Sequence, residues 1–367
     1  MLCIKNVFMK YGIITHYDVH NHGALLQLNA LKRVLKSYSI DAQALQFDKN
    51  YDFMGRDMKA KYEISLKSIG IYMKYFFEKG FRCFAYNFKK KKILDQFRSS
   101  ANLIGDYYTE CSNLNGVIVG SDEVFALHTG PTPAFFGHCL PASKVFAYAG
   151  CFGPTTINDV DRWHARAFVS SGLASMCGLS MRDQNSISIA KDLTGITPEL
   201  VCDPVILYGY KKEIDSSKQM HHNPYMVVYS YDGKFDDSAN EIKAYAKKRG
   251  LQIVSPGFYQ KWADINVNCD PIELLAWFKG AQCVVTNTFH GCVLSIITGR
   301  EMAVRLSGNA NKLLNLMTEY KIVNREFGNT RSLDDVFSAN VDWNAVNDQI
   351  KLRRASSMAY LKKMIEL

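Results

Sequence analysis

The 367-residue sequence lacks the cysteine patterns that mark disulfide-stabilised and zinc-binding proteins. Its ten cysteines include no Cys-x-x-Cys pair. A chain of this length can also bury a full hydrophobic core without covalent cross-links. We therefore predict reduced, mostly buried thiols, as in a cytosolic protein.

Long apolar runs are also missing. The N-terminal stretch has no continuous apolar core of the kind found in signal peptides. No run approaches the ~20 residues that a membrane-spanning helix needs. These absences predict a cytoplasmic location. The formal net charge of +9 favours anionic partners, such as phosphates, nucleic acid or an anionic membrane surface.

The common signatures of nucleotide-binding and metal-binding enzymes are absent too. The sequence has no His-Glu-x-x-His motif, no Walker loop and no Gly-x-Gly-x-x-Gly after its first strand-like segment. We therefore predict that the protein uses neither a metal ion nor a nicotinamide cofactor. The one lysine cluster, residues 89–92, lies in no recognisable nucleic-acid motif, so nucleic acid is not an expected partner.

Segments of strand type and helix type alternate along most of the chain. One alternating series fills residues 1–210, a second fills residues 222–341, and a polar, proline-terminated stretch separates them. Residues 342–367 have a wholly helical pattern. The alternation predicts an α/β protein with two doubly wound, Rossmann-like domains that face each other. Its ligand cleft would lie at the carboxyl ends of the strands.

Residues 59–98 depart from this alternation because aromatic residues are interleaved with lysine and arginine. One interpretation is a helical insertion in the N-terminal domain, whose long basic side chains cover apolar surface. The other is a surface that rests on anionic lipid headgroups. The sequence leaves both open.

One strand-to-helix turn in the second series is unusually polar. Residues 284–297 run from an apolar strand into an apolar helix, and the turn between them contains Thr288, His290 and Gly291. Glycine allows close approach of a ligand, and a helix start presents N–H groups and positive potential to an anion. Histidine can exchange a proton near neutral pH. The alternative is a helix cap followed by a packed, hydrogen-bonded histidine.

Several segments, in order along most of the chain, resemble the motifs of the polysaccharide pyruvyl transferase family. They are GIITHYDVHNHGALLQLNALKRVLK, GVIVGSDEVF, FAYAGCFG, GLSMRDQNS, VCDPVIL, VVTNTFHGCVLSIITGREMAVRL and NKLLNLMTEYKIVNR. Two departures affect charge: Glu123 stands where the family usually has glutamine, and Lys312 where it usually has arginine. Lysine keeps the positive charge but loses the bidentate geometry of a guanidinium group.

The resemblance implies a GT-B-like fold and a reaction. The pyruvyl group of phosphoenolpyruvate would move onto a sugar of a surface polysaccharide, such as a capsule or exopolysaccharide, or onto its lipid-linked precursor. The product would be a pyruvate ketal, with phosphate released and no cofactor beyond the co-substrate. The basic-aromatic insertion would then contact the inner face of the membrane, where such precursors are found. A GT-B glycosyltransferase that uses a nucleotide-sugar would fit the same fold and cleft.

The resemblance also implies site residues, position by position. The catalytic pair would be His290, as the acid/base, and Asp122, which would hold or deprotonate an acceptor hydroxyl. The residues expected at phosphoenolpyruvate are Arg182, Thr288, Phe289, Gly291 and Lys312. The residues expected at the acceptor sugar are Asn21, Gly23, Gln27 and Ser121.

Several of these residues also have a purely structural interpretation. Arg182 would form a surface ion pair with Asp183 or Glu199, and Lys312 would be a solvated helix lysine. Asp122 would cap a turn. Asn21, Gly23 and Gln27 lie at the first predicted strand-to-helix turn, where they would serve as a helix cap and a turn glycine.

Overall fold

Two parallel β-sheets with the same strand order organise the molecule. The computed structural model describes residues 9–47, 66–129, 131–231, 233–306, 310–328 and 330–366, with only the backbone for residues 66–79 and 129. Part of the predicted insertion, residues 59–65, lies outside these ranges. Both sheets alternate with helices along the chain, which confirms the predicted α/β class.

The first sheet has five parallel strands in the order β3-β2-β1-β4-β5. Its strands are β1 (Met9–Ile14), β2 (Ile40–Gln46), β3 (Ile104–Tyr107), β4 (Gly116–Val119) and β5 (Val145–Ala147). A short parallel pair, β6 (Ser180–Met181) and β7 (Glu199–Leu200), extends the sheet beyond β5 through isolated bridges. The central strands are apolar and buried, as expected when helices cover both faces of a parallel sheet.

Seven helices accompany this sheet in the described ranges. They are α1 (His22–Ser37), α2 (Leu66–Ser100), α3 (Ile157–Arg162), α4 (Arg166–Ser175), α5 (Gln184–Thr194), α6 (Pro204–Tyr208) and α7 (Lys211–Asp215). Helix α1 is buried along most of its length, because one side faces the sheet and α6 packs on it. Helix α2 is broken at Gly80, whose φ of 78° is not helical.

The second sheet repeats this strand order as β10-β9-β8-β11-β12. Its strands are β8 (Tyr225–Tyr229), β9 (Gln252–Pro256), β10 (Ile265–Val267), β11 (Cys283–Thr286) and β12 (Met302–Val304). The remaining helices are α8 (Ala239–Arg249), α9 (Pro271–Gly280), α10 (Phe289–Thr298), α11 (Asn311–Glu319), α12 (Leu333–Ser338) and α13 (Trp343–Glu366).

The last helix, α13, returns to the first sheet. Tyr360 donates a hydrogen bond from its hydroxyl to the carbonyl of Ala147 at 2.9 Å. Ser357 accepts one from the N–H of Cys202, also at 2.9 Å. The helix that follows the second sheet in sequence therefore packs on the first. The exact domain limits expected from the sequence stay a prediction.

A continuous apolar core joins the two halves. It runs from the first sheet through α1 and α6 to α9, α10 and the second sheet. The carboxyl ends of β1 and β4 are thereby brought opposite those of β8 and β11. Among the described residues, no helix combines the length and the apolar character that crossing a bilayer requires.

Candidate active site

A cavity of about 1210 Å³ lies between the two sheets, where the carboxyl ends of their strands meet. Its wall includes Asn21 and Asp122 from the first half and Thr288, His290 and Lys312 from the second. This is the position that parallel sheets provide for ligands, because helix starts and loop residues converge there.

The start of α10 forms one end of the cavity. The hydroxyl of Thr288 caps the helix by accepting a hydrogen bond from the N–H of Gly291 at 3.0 Å. Within the described part of the chain, the N–H groups of Phe289 and His290 donate no hydrogen bond. Two backbone donors and the positive end of the helix dipole are therefore available at the cavity.

Gly291 is explained by packing within the protein. A side-chain Cβ at this position would overlap the hydroxyl of Thr286, at the end of β11. The glycine allows the helix to begin directly against the strand that precedes it. Gly291 does not border the cavity, whereas its capping partner Thr288 does.

His290 lies at the boundary between the two halves and is largely buried, with 12% of its side chain exposed to the cavity. Its Nε2 lies 3.9 Å from a carboxylate oxygen of Asp203 and makes no hydrogen bond among the described residues. Burial lowers the pKa of the imidazole, although the charges of Asp203 and Asp122 oppose this shift. The ring is therefore neutral at pH 7 and able to accept a proton. Gly23 of α1 faces the ring, and a Cβ there would overlap it.

Arg182 is a buried junction between two carboxylates. Its terminal nitrogens donate to Asp122 at 2.9 Å and to Asp203 at 3.2 Å, and its side chain is only 2% exposed. The centre of the Phe289 ring lies 4.4 Å from the guanidinium carbon of Arg182. The alternative interpretation of Arg182, a surface ion pair with Asp183 or Glu199, is therefore wrong. Arg182 does border the cavity, but both terminal nitrogens already have carboxylate partners.

This junction controls the charge of Asp122. Burial would favour the neutral acid, but the positive charge of Arg182 outweighs it, and the pKa of Asp122 is lowered. Asp122 is thus an ionised group on the cavity wall. It follows β4 and has a left-handed backbone with a φ of 78°, which a non-glycine residue seldom adopts.

Lys312 joins the two halves across the cavity. Its ammonium group lies 2.5 Å from the carboxylate of Glu123, which follows β4 in the first half. Burial would lower the pKa of Lys312, but Glu123 raises it, so the lysine is charged. Its side chain is 28% exposed, which makes the interpretation as a solvated helix lysine wrong.

The residues expected at the acceptor occupy different places. Asn21 borders the cavity, caps α1 through the N–H of Gly23, and donates to the hydroxyl of Tyr231 at 3.2 Å. Gly23 lies inside the helix against His290. Gln27 is 2% exposed and donates to Asp203, while Ser121 is 3% exposed. Of the four, only Asn21 forms part of the cavity wall, because Gly23, Gln27 and Ser121 are buried within the protein.

Asp203 is the important residue that the sequence did not single out. One of its oxygens caps α6 at the N–H of Val205, at 2.9 Å. Its other oxygen accepts hydrogen bonds from Gln27 and Arg182 and lies nearest to His290. The motif VCDPVIL was visible, but an Asp-Pro pair is also an ordinary helix start. Nothing local indicated that this carboxylate would reach the site.

Comparisons with known proteins agree with this architecture. Residues 21–304 match the family model described as polysaccharide pyruvyl transferase. Curated protein sequences give no significant match. Among solved structures, the chain is similar to UDP-N-acetylglucosamine 2-epimerase from Rickettsia bellii, with 10% identity, a TM-score of 0.50 and coverage of 98% of this chain and 97% of that one.

A second solved structure gives a similar result. It is UDP-GlcNAc 2-epimerase from Methanocaldococcus jannaschii in complex with UDP-GlcNAc and UDP, with 12% identity, a TM-score of 0.50 and coverage of 98% of this chain and 99% of that one. At such low identity the likeness shows the fold alone. It confirms the predicted pair of Rossmann-like domains in a GT-B-like arrangement.

Proposed function

Because this chain belongs to the polysaccharide pyruvyl transferase family, we propose that it transfers the pyruvyl group of phosphoenolpyruvate to a sugar. The acceptor would be a surface polysaccharide or its lipid-linked precursor, and the product a pyruvate ketal. The observation that supports this most is the environment of His290. A neutral imidazole lies at the start of a helix, beside the carboxylates of Asp122 and Asp203.

The proposed reaction needs a group that accepts a proton and then donates one. A sugar hydroxyl adds its oxygen to the central carbon of phosphoenolpyruvate, and its proton must leave. The methylene carbon gains a proton and becomes the methyl group. Neutral His290 takes the hydroxyl proton and, as imidazolium, supplies one to the methylene carbon. A second hydroxyl then displaces phosphate, its proton leaves with the phosphate, and the ketal is complete.

The surrounding charges suit these steps. Asp203, 3.9 Å from Nε2 of His290, stabilises the imidazolium once it forms. The carboxylate and phosphate of phosphoenolpyruvate would lie at the first turn of α10 and at Lys312. Arg182 would act mainly by holding Asp122 and Asp203 in place. The proposed chemistry uses phosphoenolpyruvate as co-substrate and needs no bound cofactor.

The test is release of phosphate from phosphoenolpyruvate that depends on an added acceptor. Purified protein would be incubated with phosphoenolpyruvate and fractions of surface polysaccharide or lipid-linked oligosaccharide. His290→Gln should slow turnover by about a hundredfold or more and leave phosphoenolpyruvate binding nearly unchanged. His221→Gln, at a loop histidine that does not line the cavity, is the matched control. A His290→Gln protein with full activity would refute the role of this residue.

The alternative function, transfer of a sugar from a nucleotide-sugar, remains a defined outcome of the same experiments. The GT-B-like fold and its cleft suit it equally well, but fold alone does not determine the donor. Binding of UDP-sugars without any binding of phosphoenolpyruvate would favour it.

A further inference from the structure

The outward face of α2 carries large apolar side chains. After the break at Gly80, the second segment of this helix runs from residue 81 to residue 100. Phe81 and Phe88 are seven residues apart, so they lie two turns apart on one face, and they are 71% and 56% exposed. Phe84, 47% exposed, lies between them. Such a row is much more apolar than an ordinary exposed helix surface.

Positive charge accompanies these aromatic rings. Lys89, Lys91 and Lys92 are exposed, and residues 81–94 include no acidic side chain. The ammonium group of Lys92 lies 4.7 Å from the centre of the ring of Phe88. The apolar and cationic groups therefore occupy the same surface. This combination is complementary to a bilayer whose headgroups are anionic, which accepts both kinds of side chain at once.

The opposite face of the same segment is fixed to the protein. Tyr86 donates a hydrogen bond to the carbonyl of Val267 at 2.6 Å. Lys90 is 7% exposed, and its ammonium group lies 4.1 Å from the centre of the ring of Phe258. These contacts orient the helix and separate Lys90 from the other three lysines of its run. Three of the four lysines at positions 89–92 therefore face outward.

We propose that this face, defined by Phe81, Phe88, Lys89, Lys91 and Lys92, docks the protein on an anionic bilayer. The rings would enter the boundary between headgroups and acyl chains, and the lysines would contact the headgroups. This goes beyond the proposed chemistry, because docking needs no catalytic activity.

The position of α2 gives the docking surface a consequence for the cavity. Arg98, near the end of the helix, donates a hydrogen bond to the carbonyl of Tyr17 at 3.0 Å, and Tyr17 borders the cavity. Arg98 comes ten positions after Phe88 along the helix, which corresponds to a rise of about 15 Å. A protein docked through this face would hold its cavity near the membrane surface, within reach of a lipid-linked sugar.

The test is sedimentation of the protein with lipid vesicles. Wild-type protein should bind vesicles of mixed phosphatidylglycerol and phosphatidylcholine, bind pure phosphatidylcholine much less, and dissociate as salt is added. The triple variant Lys89→Glu, Lys91→Glu, Lys92→Glu should bind about a hundredfold more weakly. The double variant Phe81→Ser, Phe88→Ser should lose about tenfold or more.

Matched controls separate docking from general charge attraction. The variant Lys211→Glu, Lys351→Glu, Lys362→Glu changes exposed lysines elsewhere and lowers the net charge of +9 by the same six units, to +3. Leu352→Ser, at a 62% exposed leucine, is the apolar control. Both should bind like wild type. Equal weakening by the control triple would overturn the proposal. Unchanged binding by the Phe81→Ser, Phe88→Ser variant would also overturn it, because the protein would then bind the vesicles as a polyanion only.

The wild-type measurement decides the matter even if a variant fails to fold. If wild-type protein does not bind anionic vesicles at low salt, the proposal is wrong. Binding of phosphoenolpyruvate, measured without vesicles, should be the same in all folded variants. A failure of the proposed chemistry is thereby kept distinct from a failure of docking.

Discussion

At the scale of single residues, the site depends on a carboxylate shared by several partners. Asp203 accepts from Gln27 and Arg182 and lies beside His290. The sequence predicted that the histidine lies at a strand-to-helix turn, because that position is local information. It did not identify the partners of Arg182, which lie 60 and 21 positions away at Asp122 and Asp203. Such pairs are set by the fold.

Asp203→Asn tests whether this carboxylate supports the histidine. Its charge raises the pKa of His290, so its removal should lower that pKa further. The acid limb of the kcat/KM profile should then move to lower pH, while turnover falls because the imidazolium is less stabilised. The profile of purified enzyme against pH measures both effects. Asp192→Asn, at an exposed carboxylate paired with Arg166, is the control. A limb that stays in place would contradict the assignment.

Gly23→Ala tests the contact between the two halves at His290. In an open helix position this change stabilises by up to ~1 kcal/mol. At Gly23 the new methyl group would overlap the imidazole, so turnover should fall at least about tenfold as the ring is displaced. Gly70→Ala is the matched control, since that helical glycine has open space around it. Equal activity in both variants would show that the ring position does not matter.

At the scale of elements, the sequence predicted the order of strands and helices better than their limits. Within the first alternating series, the pattern of residues 156–173 predicts one helix, yet α3 and α4 are separate. His164 between them has a φ of 50°, and no glycine or proline signals this break. Similarly, the pattern of the polar stretch after residue 210 predicts a boundary between the two series without a helix of its own, but the stretch begins with α7. Lys279 holds the end of α7 by donating to the carbonyl of Ile214 at 2.7 Å.

The start of α1 predicts a pH dependence of stability. His22 is completely buried and bonded to the carbonyl of Cys269 at 2.9 Å, and burial lowers its pKa to about 3. Above pH 6.5 neither state binds a proton there, so the stabilisation is complete. Below pH 6.5 the unfolded chain binds a proton that the folded protein does not, so stability falls as pH falls toward 3.

For this one group, the free energy of unfolding should drop by about 2 kcal/mol between pH 7 and pH 5. His22→Gln should remove that part of the drop, because a glutamine amide does not bind a proton in this pH range. The amide can still donate to the carbonyl of Cys269, so the contact is kept. Urea unfolding at the two pH values measures the difference, with His222→Gln in an exposed loop as the control. If wild type and His22→Gln lose equal stability between pH 7 and pH 5, His22 binds a proton in the folded protein as it does in the unfolded chain.

At the scale of the whole molecule, the cavity exists because the two halves make direct contact around it. The pair Lys312–Glu123, the hydrogen bond Asn21–Tyr231 and a shared apolar core all cross the boundary. The repeated βα pattern predicted two similar sheets and a cleft. It contained no information on which side chains would meet across that cleft, because those contacts join segments about 190 to 210 positions apart.

The Lys312–Glu123 pair predicts two opposite effects on binding. Lys312→Met should weaken phosphoenolpyruvate binding by about tenfold or more, because it removes a cation from the proposed anion site. Glu123→Gln should tighten binding, because it removes a negative charge and leaves the lysine available to the ligand. Calorimetric titration of both variants measures the two changes. Weakening in both would show that the pair serves to hold the halves together and does not contact the donor.

A calorimetric comparison of donors tests most directly whether the cavity binds phosphoenolpyruvate. Phosphoenolpyruvate and UDP-GlcNAc would be titrated separately into the same preparation of wild-type protein, and phosphoenolpyruvate also into Lys312→Met. We expect saturable binding of phosphoenolpyruvate that weakens in the variant, and no binding of UDP-GlcNAc. Binding of UDP-GlcNAc with no signal from phosphoenolpyruvate would contradict it, and the start of α10 would then be a site for a nucleotide phosphate.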